Sequence, residues 1–193
     1  MSPALLILVL YGLAFGVRWW VGWGDASPLS LPSDTALVAA GLLSIAGLRD
    51  SLHLPRRLPP RTLVWAAGVF ATTHLMMLTW LGPVGRHGVF NLCLGGLHAV
   101  LAWHALQLRH ASAVSWRLPT GLVLFAGAGL ALLALVRAVG GLSALWAPEL
   151  HALAMWVDVV YTVLGLGLVS VWLLAWMGWR YRVRRALAHN APS

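Results

Sequence analysis

The stretch LSLPSDTALVAAGLLSIAGL, from Leu29 to Leu48, decides how many times the chain crosses a membrane. Its strongly apolar part, Ala36 to Leu48, is too short to cross a hydrocarbon core of about 30 Å without tilting. The preceding LSLPSDT brings it to an adequate length. Without a crossing here, the arginines on either side of the stretch would fall on opposite membrane faces, so we count it as a span.

The composition around this stretch is typical of a membrane protein. Of the 193 residues, 60% are hydrophobic and only 9% are charged, whereas soluble domains carry about 25% charged residues. All 13 basic residues are arginine, and the net charge is +8. These arginines lie between long apolar runs, which is a topology signal rather than the continuous basic face of a nucleic-acid-binding protein. We therefore predict an integral membrane protein whose partner is the lipid bilayer, with no nucleic acid bound.

Apolar windows long enough to span a bilayer predict the fold class, an all-α polytopic bundle of six transmembrane helices. Prolines fall outside these windows or at their edges, as expected for uninterrupted helices. Residues 1–179 then form a single transmembrane domain, and residues 180–193 form a short basic cytoplasmic tail. The predicted windows are 3–22, 31–48, 62–82, 88–107, 118–138 and 151–178.

The distribution of arginine predicts the orientation of the bundle. Ten of the thirteen arginines lie in the second connection, the fourth connection and the tail. The positive-inside rule places these segments in the cytoplasm, so both termini are inside and the connections 23–30, 83–87 and 139–150 face out. The ten arginines are Arg49, Arg56, Arg57, Arg61, Arg109, Arg117, Arg180, Arg182, Arg184 and Arg185.

Asp158 is a carboxylate in the middle of the apolar stretch HALAMWVDVVYTVLG, residues 151–165. A position about seven residues into the last helix lies about 11 Å below its outer end. Arg18 and Arg137 lie at similar depth and could pair with Asp158, and His151 shares its helical face. The pattern fits a structural ion pair, and it also fits an outer ligand pocket with a tryptophan rim. The rim would consist of Trp19, Trp20, Trp23, Trp146 and Trp156.

Histidines within the spans raise the alternative of a membrane haem site. His98 and His104 are about 120° apart around one helix and cannot face one metal. His74 and His98 both lie near the middle of adjacent spans, so they are the alternative axial ligands of a haem b. Hydrogen bonding explains the same residues without a cofactor, because Asn91 shares a face with His98 and Gln107 lies one turn from His104. A proton relay is the remaining alternative for these histidines.

The motifs of soluble enzyme chemistry are absent from the sequence. It contains no glycine-rich phosphate loop, no H-E-x-x-H, no nucleophile elbow and no paired cysteines. We therefore expect a protein that is not an enzyme.

Four segments together resemble the membrane input region of bacterial GGDEF-type diguanylate cyclase signalling proteins. They are ALVAAGLLSIAGLRDSLHLP (36–55), GRHGVFNL (85–92), LALLALVRAV (130–139) and WMGWRYRVRRAL (176–187). In that family the region senses a signal and passes it through its last helix to a cytoplasmic catalytic domain. The resemblance implies a location in the bacterial inner membrane, and it matches Arg86 and Arg137 to arginines of the family pattern. The printed sequence contains no GGDEF motif, so the sensing role alone carries over, either through a separate cytoplasmic partner or as part of a longer signalling protein.

From these observations we predict a non-enzymatic membrane sensor or signal-input module. Its ligand pocket near the outer face would involve Arg18, Arg86, Arg137, His151 and Asp158. One alternative is a haem-binding or accessory subunit of a larger membrane electron-transfer complex. Another is a structural membrane subunit without a ligand.

Overall fold

The computed structural model describes residues 3–21, 28–52, 59–107 and 120–147, together with single positions 149, 156, 178, 181, 184 and 185. These ranges are almost entirely helical and contain no β-strand, which confirms the all-α class for this part of the chain. The elements are α1 (Pro3–Val21), a 3-10 turn (Pro28–Ser30), α2 (Leu31–Ser51), α3 (Pro60–Gln107) and α4 (Thr120–Trp146).

The helix α2 begins before the strongly apolar run Ala36–Leu48 and includes polar residues that precede it. It starts at Leu31, directly after the 3-10 turn, and runs for 21 residues, or about 31 Å. Pro32 occupies the first turn, where its missing N–H costs no hydrogen bond. Residues 31–35 of the segment LSLPSDT therefore belong to the helix, and α2 is long enough to cross a hydrocarbon core.

The 48-residue helix α3 is a hairpin of two antiparallel arms. As one straight helix it would hold Phe70 and Phe90 about 30 Å apart, yet their ring centroids lie 6.3 Å apart. The chain reverses at Gly82, whose φ of 67° is unfavourable for residues with a side chain, and Pro83 begins the second arm. We call residues 60–81 the N-terminal arm and residues 83–107 the C-terminal arm, and the turn between them the bend.

Contacts between neighbouring helices show how the segments are ordered. The Ser33 hydroxyl near the start of α2 donates to the Ala14 carbonyl late in α1, at 2.9 Å, so these helices are antiparallel. The C-terminal arm and α4 are also antiparallel, because Gly88 lies beside Gly141 while Gly127 lies beside Leu106. The end of α1, the start of α2, the bend and the end of α4 consequently share one end of the bundle, which we call the bend end.

Two apolar clusters hold the helices together along the bundle. One joins Ile7 of α1, Leu48 of α2, Leu101 of the C-terminal arm and Leu130 of α4. The other is centred on Phe90 and lies nearer the bend end. Because lipid chains are as apolar as these side chains, close packing rather than removal of surface from water favours such contacts inside a membrane.

Three described segments are long and apolar enough to cross a membrane, and α1 adds a shorter apolar helix, Leu5–Val21. They indicate a helical membrane protein. Five of the six predicted windows fall on described helix, but residues 83–87 and 139–146, predicted as parts of connections, are helical as well. The sixth, 151–178, lies outside the described residues except for single positions, so the six-span count and the orientation stay predictions. The three long segments are Pro28–Asp50, Pro60–Gln107 and Val123–Trp146.

The contact between the C-terminal arm and α4 predicts opposite outcomes for two adjacent glycines. A Cβ on Gly95 would meet the Ala134 carbonyl oxygen at 3.1 Å and the Arg137 Cβ at 3.2 Å, whereas a Cβ on Gly96 would meet nothing within 4 Å. We expect Gly95→Val to lower the free energy of unfolding by about 1–3 kcal/mol through overpacking. Gly96→Val should cost much less. Circular dichroism during unfolding in mixed detergent measures the free energy of unfolding of both variants. Equal losses of free energy would contradict this packing.

Candidate functional site: a buried polar cluster around Asp34

Asp34 lies in the first turn of α2 and is 1% exposed. Arg18 forms an ion pair with its Oδ1 atom. Its Oδ2 atom accepts a hydrogen bond from the Ser30 hydroxyl at 3.2 Å and lies 2.9 Å from His74 Nε2 and 3.8 Å from Arg86 Nη1. We call these five residues the Asp34 cluster. It connects α1, the 3-10 turn, α2 and both arms of α3 through one carboxylate.

Local helix electrostatics favour the ion pair at the centre of the cluster. Arg18 is in the last turn of α1, where the helix dipole stabilises a cation. Asp34 is in the first turn of α2, where the dipole stabilises an anion. Because α1 and α2 are antiparallel, these two helix ends meet, and the fold itself places opposite charges side by side.

The contacts of His74 determine which ring nitrogen carries the proton. Nε2 lies 2.9 Å from the Asp34 carboxylate and 3.3 Å from the Arg86 guanidinium, and a guanidinium only donates. The shorter, charge-assisted contact assigns the proton to Nε2, which donates to Asp34. The ring stacks on Phe70 at 5.0 Å and meets Phe90 at 5.6 Å.

Burial makes the pairing within the cluster obligatory. Asp34, His74 and Arg86 are each 2% exposed or less. A charge removed from water without a partner is very costly, whereas one paired and hydrogen-bonded is tolerated. Arg86 also donates to the Ser30 hydroxyl at 2.8 Å. The cluster is thus a densely hydrogen-bonded unit within a largely apolar bundle.

The depth of the cluster follows from helix geometry. Arg86 comes four residues after Gly82 and His74 eight residues before it, so they lie about 6 Å and 12 Å along their arms from the bend. Tryptophans at this end are exposed, as expected for membrane-interface anchors. The cluster lies just below the level they mark. The exposed tryptophans at the bend end are Trp19, Trp20, Trp80 and Trp146.

Arg137 forms a second polar contact close to the cluster. Its guanidinium donates to the side-chain oxygen of Asn91 and lies 5.8 Å from the centroid of the Phe90 ring. The same Phe90 ring meets His74. Arg137 of α4 therefore contacts the same aromatic ring as His74 of the cluster.

The structure brings together part of the predicted site. Arg18 and Arg86 share the Asp34 carboxylate, and Arg137 lies close by. Asp158 and His151 lie outside the described residues, so their part in an outer pocket stays a prediction. Of the predicted rim, Trp19, Trp20, Trp146 and Trp156 are exposed, and Trp23 is outside the described residues.

Sequence reasoning missed Asp34 itself. The predicted window 31–48 contains Asp34, but the residue counts there only toward the length of a weak span. Pro32 in the first turn, followed by an acidic residue in the same turn, is a helix-start signal. This signal marks Asp34 as a carboxylate in the first turn of a spanning helix, where a carboxylate requires a named partner.

The geometry does not fit a haem held by His74 and His98. His74 of the N-terminal arm faces Phe90 of the C-terminal arm. His98 lies eight residues beyond Phe90 on the C-terminal arm, which places it about 12 Å from the level of His74. His98 Nδ1 contacts the Leu94 carbonyl at 2.7 Å, and His74 Nε2 is bonded to Asp34. Two histidines at such different depths do not fit as axial ligands of one haem iron. The predicted His104–Gln107 contact is confirmed, at 3.3 Å.

Comparison with family models, with curated proteins and with solved structures found no match. The resemblance to diguanylate cyclase input regions therefore stays a prediction.

The cluster predicts a large effect of Asp34→Asn on stability. Loss of the carboxylate charge leaves the buried arginines beside a neutral amide, and breaking a buried pair costs about 3–5 kcal/mol. Asp50→Asn is the matched control, because Asp50 is on the same helix but exposed. We expect a much smaller loss there. Unfolding curves in detergent give both values, and a stable Asp34→Asn protein would contradict the assigned contacts.

A double-mutant cycle identifies the partner of Arg18. The ion pair predicts that Arg18→Gln and Asp34→Asn together cost less than the sum of the two, by about 0.5–3 kcal/mol. Arg49→Gln with Asp34→Asn should show no such coupling, because Arg49 is fifteen residues along α2, or about 22 Å away. A cycle of Arg18→Gln with Asp158→Asn tests the alternative pairing, and coupling confined to that cycle would overturn the assignment to Asp34.

Proposed function

We propose that this chain is a non-enzymatic membrane sensor or signal-input module of the bacterial inner membrane. The observation that best supports this proposal is that one buried carboxylate, Asp34, holds four helical segments together at the bend end. A change in this cluster alters the contacts of α1, α2 and both arms of α3 at once. That is the property required of the input site of a signalling bundle.

The proposed topology has six spans with both termini in the cytoplasm. The arms of α3 contain 22 and 25 residues, about 33 Å and 37 Å, so each is long enough to cross a bilayer separately. With α1, α2, α4 and the predicted 151–178 helix, this gives an even number of crossings. The arginine distribution then places the bend end outside.

The use of the Asp34 carboxylate favours a non-enzymatic role. Both of its oxygens are engaged by the protein's own donors. A catalytic acid, base or nucleophile needs a free position directed at a substrate. The group is instead arranged to hold helices together.

The N-terminal arm of α3 provides the moving part of this proposal. Within residues 60–81, only His74 is buried, and the remaining side chains are half-buried or exposed. The arm is thus anchored to the bundle by a polar contact with Asp34 more than by an apolar interface. Loss of this contact would release the arm, and rigid helices carry such displacements to their other ends.

The proposed signal reaches the cytoplasmic side through the helices themselves. A ligand or ion would act from outside on the region of Arg18, Arg86, Arg137, His151 and Asp158. The response would appear at the opposite end of the bundle, where a cytoplasmic signalling partner or a larger membrane complex would read it. A purely structural subunit, the remaining alternative, would keep any change local.

Hydrogen–deuterium exchange separates these alternatives. In lipid nanodiscs we expect Asp34→Asn to increase exchange in residues 46–52 and 100–107, at the opposite end and about 24 Å from the substitution. Ser44→Ala is the matched control, because it removes a buried hydrogen bond of α2, 2.8 Å to the Ala40 carbonyl, outside the cluster. Exchange that rises only around residue 34 would contradict signal transmission and favour the structural subunit.

A further inference from the structure

The N-terminal arm of α3 leaves one face exposed along its whole length. Exposed residues recur every three or four positions, which is the period of an α-helix, so they form one continuous stripe. The buried His74 lies on the other side of the helix. We call this stripe the exposed arm face. It runs from Arg61 through Trp65, Val69, Thr72 and Met76 to Trp80.

The exposed arm face has the length of a hydrocarbon core and a tryptophan near each end. Trp65 and Trp80 are 73% and 71% exposed, and their positions in the chain place them about 22 Å apart along the helix. Arg61 lies one turn beyond Trp65, or about 28 Å from Trp80, which is close to the hydrocarbon thickness of about 30 Å. With Trp80 at the interface of the bend end, the Arg61 guanidinium therefore lies at the level of the lipid phosphates of the opposite leaflet.

The middle of the exposed arm face is suited to acyl chains. The hydroxyls of Thr72 and Thr79 donate to backbone carbonyls of their own helix, those of Gly68 and Met76, at 3.0 Å and 2.7 Å. Such bonds satisfy a hydroxyl within the helix, so these threonines can face hydrocarbon. A Cβ on Gly68 would meet nothing within 4 Å. Gly68 therefore leaves a shallow depression between Trp65 and Thr72 that a lipid chain can occupy.

Arg61 places a positive charge at the opposite end of this face. It is exposed, and within the described part of the chain it forms no hydrogen bond or ion pair. It lies in the first turn of the arm, where the helix dipole favours an anion rather than a cation. In the sequence, no acidic residue occurs between Asp50 and Glu149. An anion from outside the chain would therefore stabilise this position.

We propose that the exposed arm face binds an anionic phospholipid, with its phosphate on Arg61 and one acyl chain along Gly68. A guanidinium donates two parallel hydrogen bonds to a phosphate, and the indole N–H of Trp65 is a further donor at the interface. Basic groups beside a spanning helix attract anionic lipids. The lipid gives the arm a second contact, at the end opposite the bend, in addition to the bond between His74 and Asp34. The site does not depend on the proposed sensing function.

Photolabelling of the full-length protein in phosphatidylcholine nanodiscs tests the proposal. Phosphatidylglycerol or phosphatidylcholine with a diazirine on one acyl chain is added in equal amounts, and mass spectrometry locates the label. We expect the phosphatidylglycerol probe to label Val69 and Thr72 in preference to the phosphatidylcholine probe. Arg61→Gln should lower this preference about fivefold, the equivalent of about 1 kcal/mol for one basic group at a membrane surface.

The outer side of α1 is the matched control for this measurement. Leu5, Val9 and Leu13 are exposed there, and the sequence has no arginine before Arg18. The two probes should label these residues equally, with or without Arg61→Gln. An equal labelling of the exposed arm face by both probes, or a preference that survives Arg61→Gln, would overturn the proposal. Because Arg61 is exposed, we expect the variant to stay folded, and circular dichroism checks this.

Two further measurements separate the lipid from other occupants. A second copy of the chain would bring two exposed arm faces together, so Gly68→Cys in a Cys93→Ser background would form a disulfide-linked dimer on oxidation. We expect none, and such a dimer would overturn the lipid assignment. Soluble glycerol phosphate in excess should leave the phosphatidylglycerol labelling unchanged, because it lacks acyl chains. Loss of labelling would assign Arg61 to a free phosphate ester instead.

Discussion

The need to neutralise a carboxylate inside an apolar bundle determines the arrangement of the helices. Hydrocarbon cannot solvate Asp34, so its donors must come from the protein. They come from α1, from the 3-10 turn and from both arms of α3. Apolar contacts such as those around Leu101 have little directional preference. The hydrogen bonds and ion pairs of the Asp34 cluster are directional, so they fix the position of each helix along its neighbours.

The bend in α3 is the condition for this arrangement. His74 and Arg86 are twelve residues apart, which in a straight helix is about 18 Å, too far to reach one carboxylate. Reversal of the chain at Gly82 brings both of them to the same oxygen of Asp34, at 2.9 Å and 3.8 Å. Gly82 and Pro83 thus position the residues of the site by reversing the chain, although neither contributes a side-chain contact to the cluster. The close approach of Gly88 and Gly141 then lets α4 pack directly against the second arm.

The sequence predicted local features well and distant contacts poorly. It ended the first arm of α3 at residue 82, where the chain reverses, although residues 83–87, predicted as a connection, are helical. It also found the His104–Gln107 contact, which depends on residues close in the chain. It marked Arg18 as a costly group in an apolar span, and it named Arg86 through the resemblance to diguanylate cyclase input regions. Their partner Asp34 was not recognised, because the start of α2 counted only toward the length of a weak span. The depth of His98 relative to His74 depends on how the hairpin arms align, which no periodicity of a single segment encodes.

The order of the cluster residues along the chain governs how the protein can be built. Synthesis proceeds from the N-terminus, so Arg18 emerges first and Asp34 follows sixteen residues later, long before His74 or Arg86. The pair can therefore enter the bilayer already neutralised, as a short hairpin of α1 and α2. The arms of α3 arrive afterwards and find a carboxylate with one oxygen, Oδ2, still to be shared. This order allows the bundle to assemble in two steps, an early ion pair between α1 and α2 and a later docking of the α3 arms through His74 and Arg86.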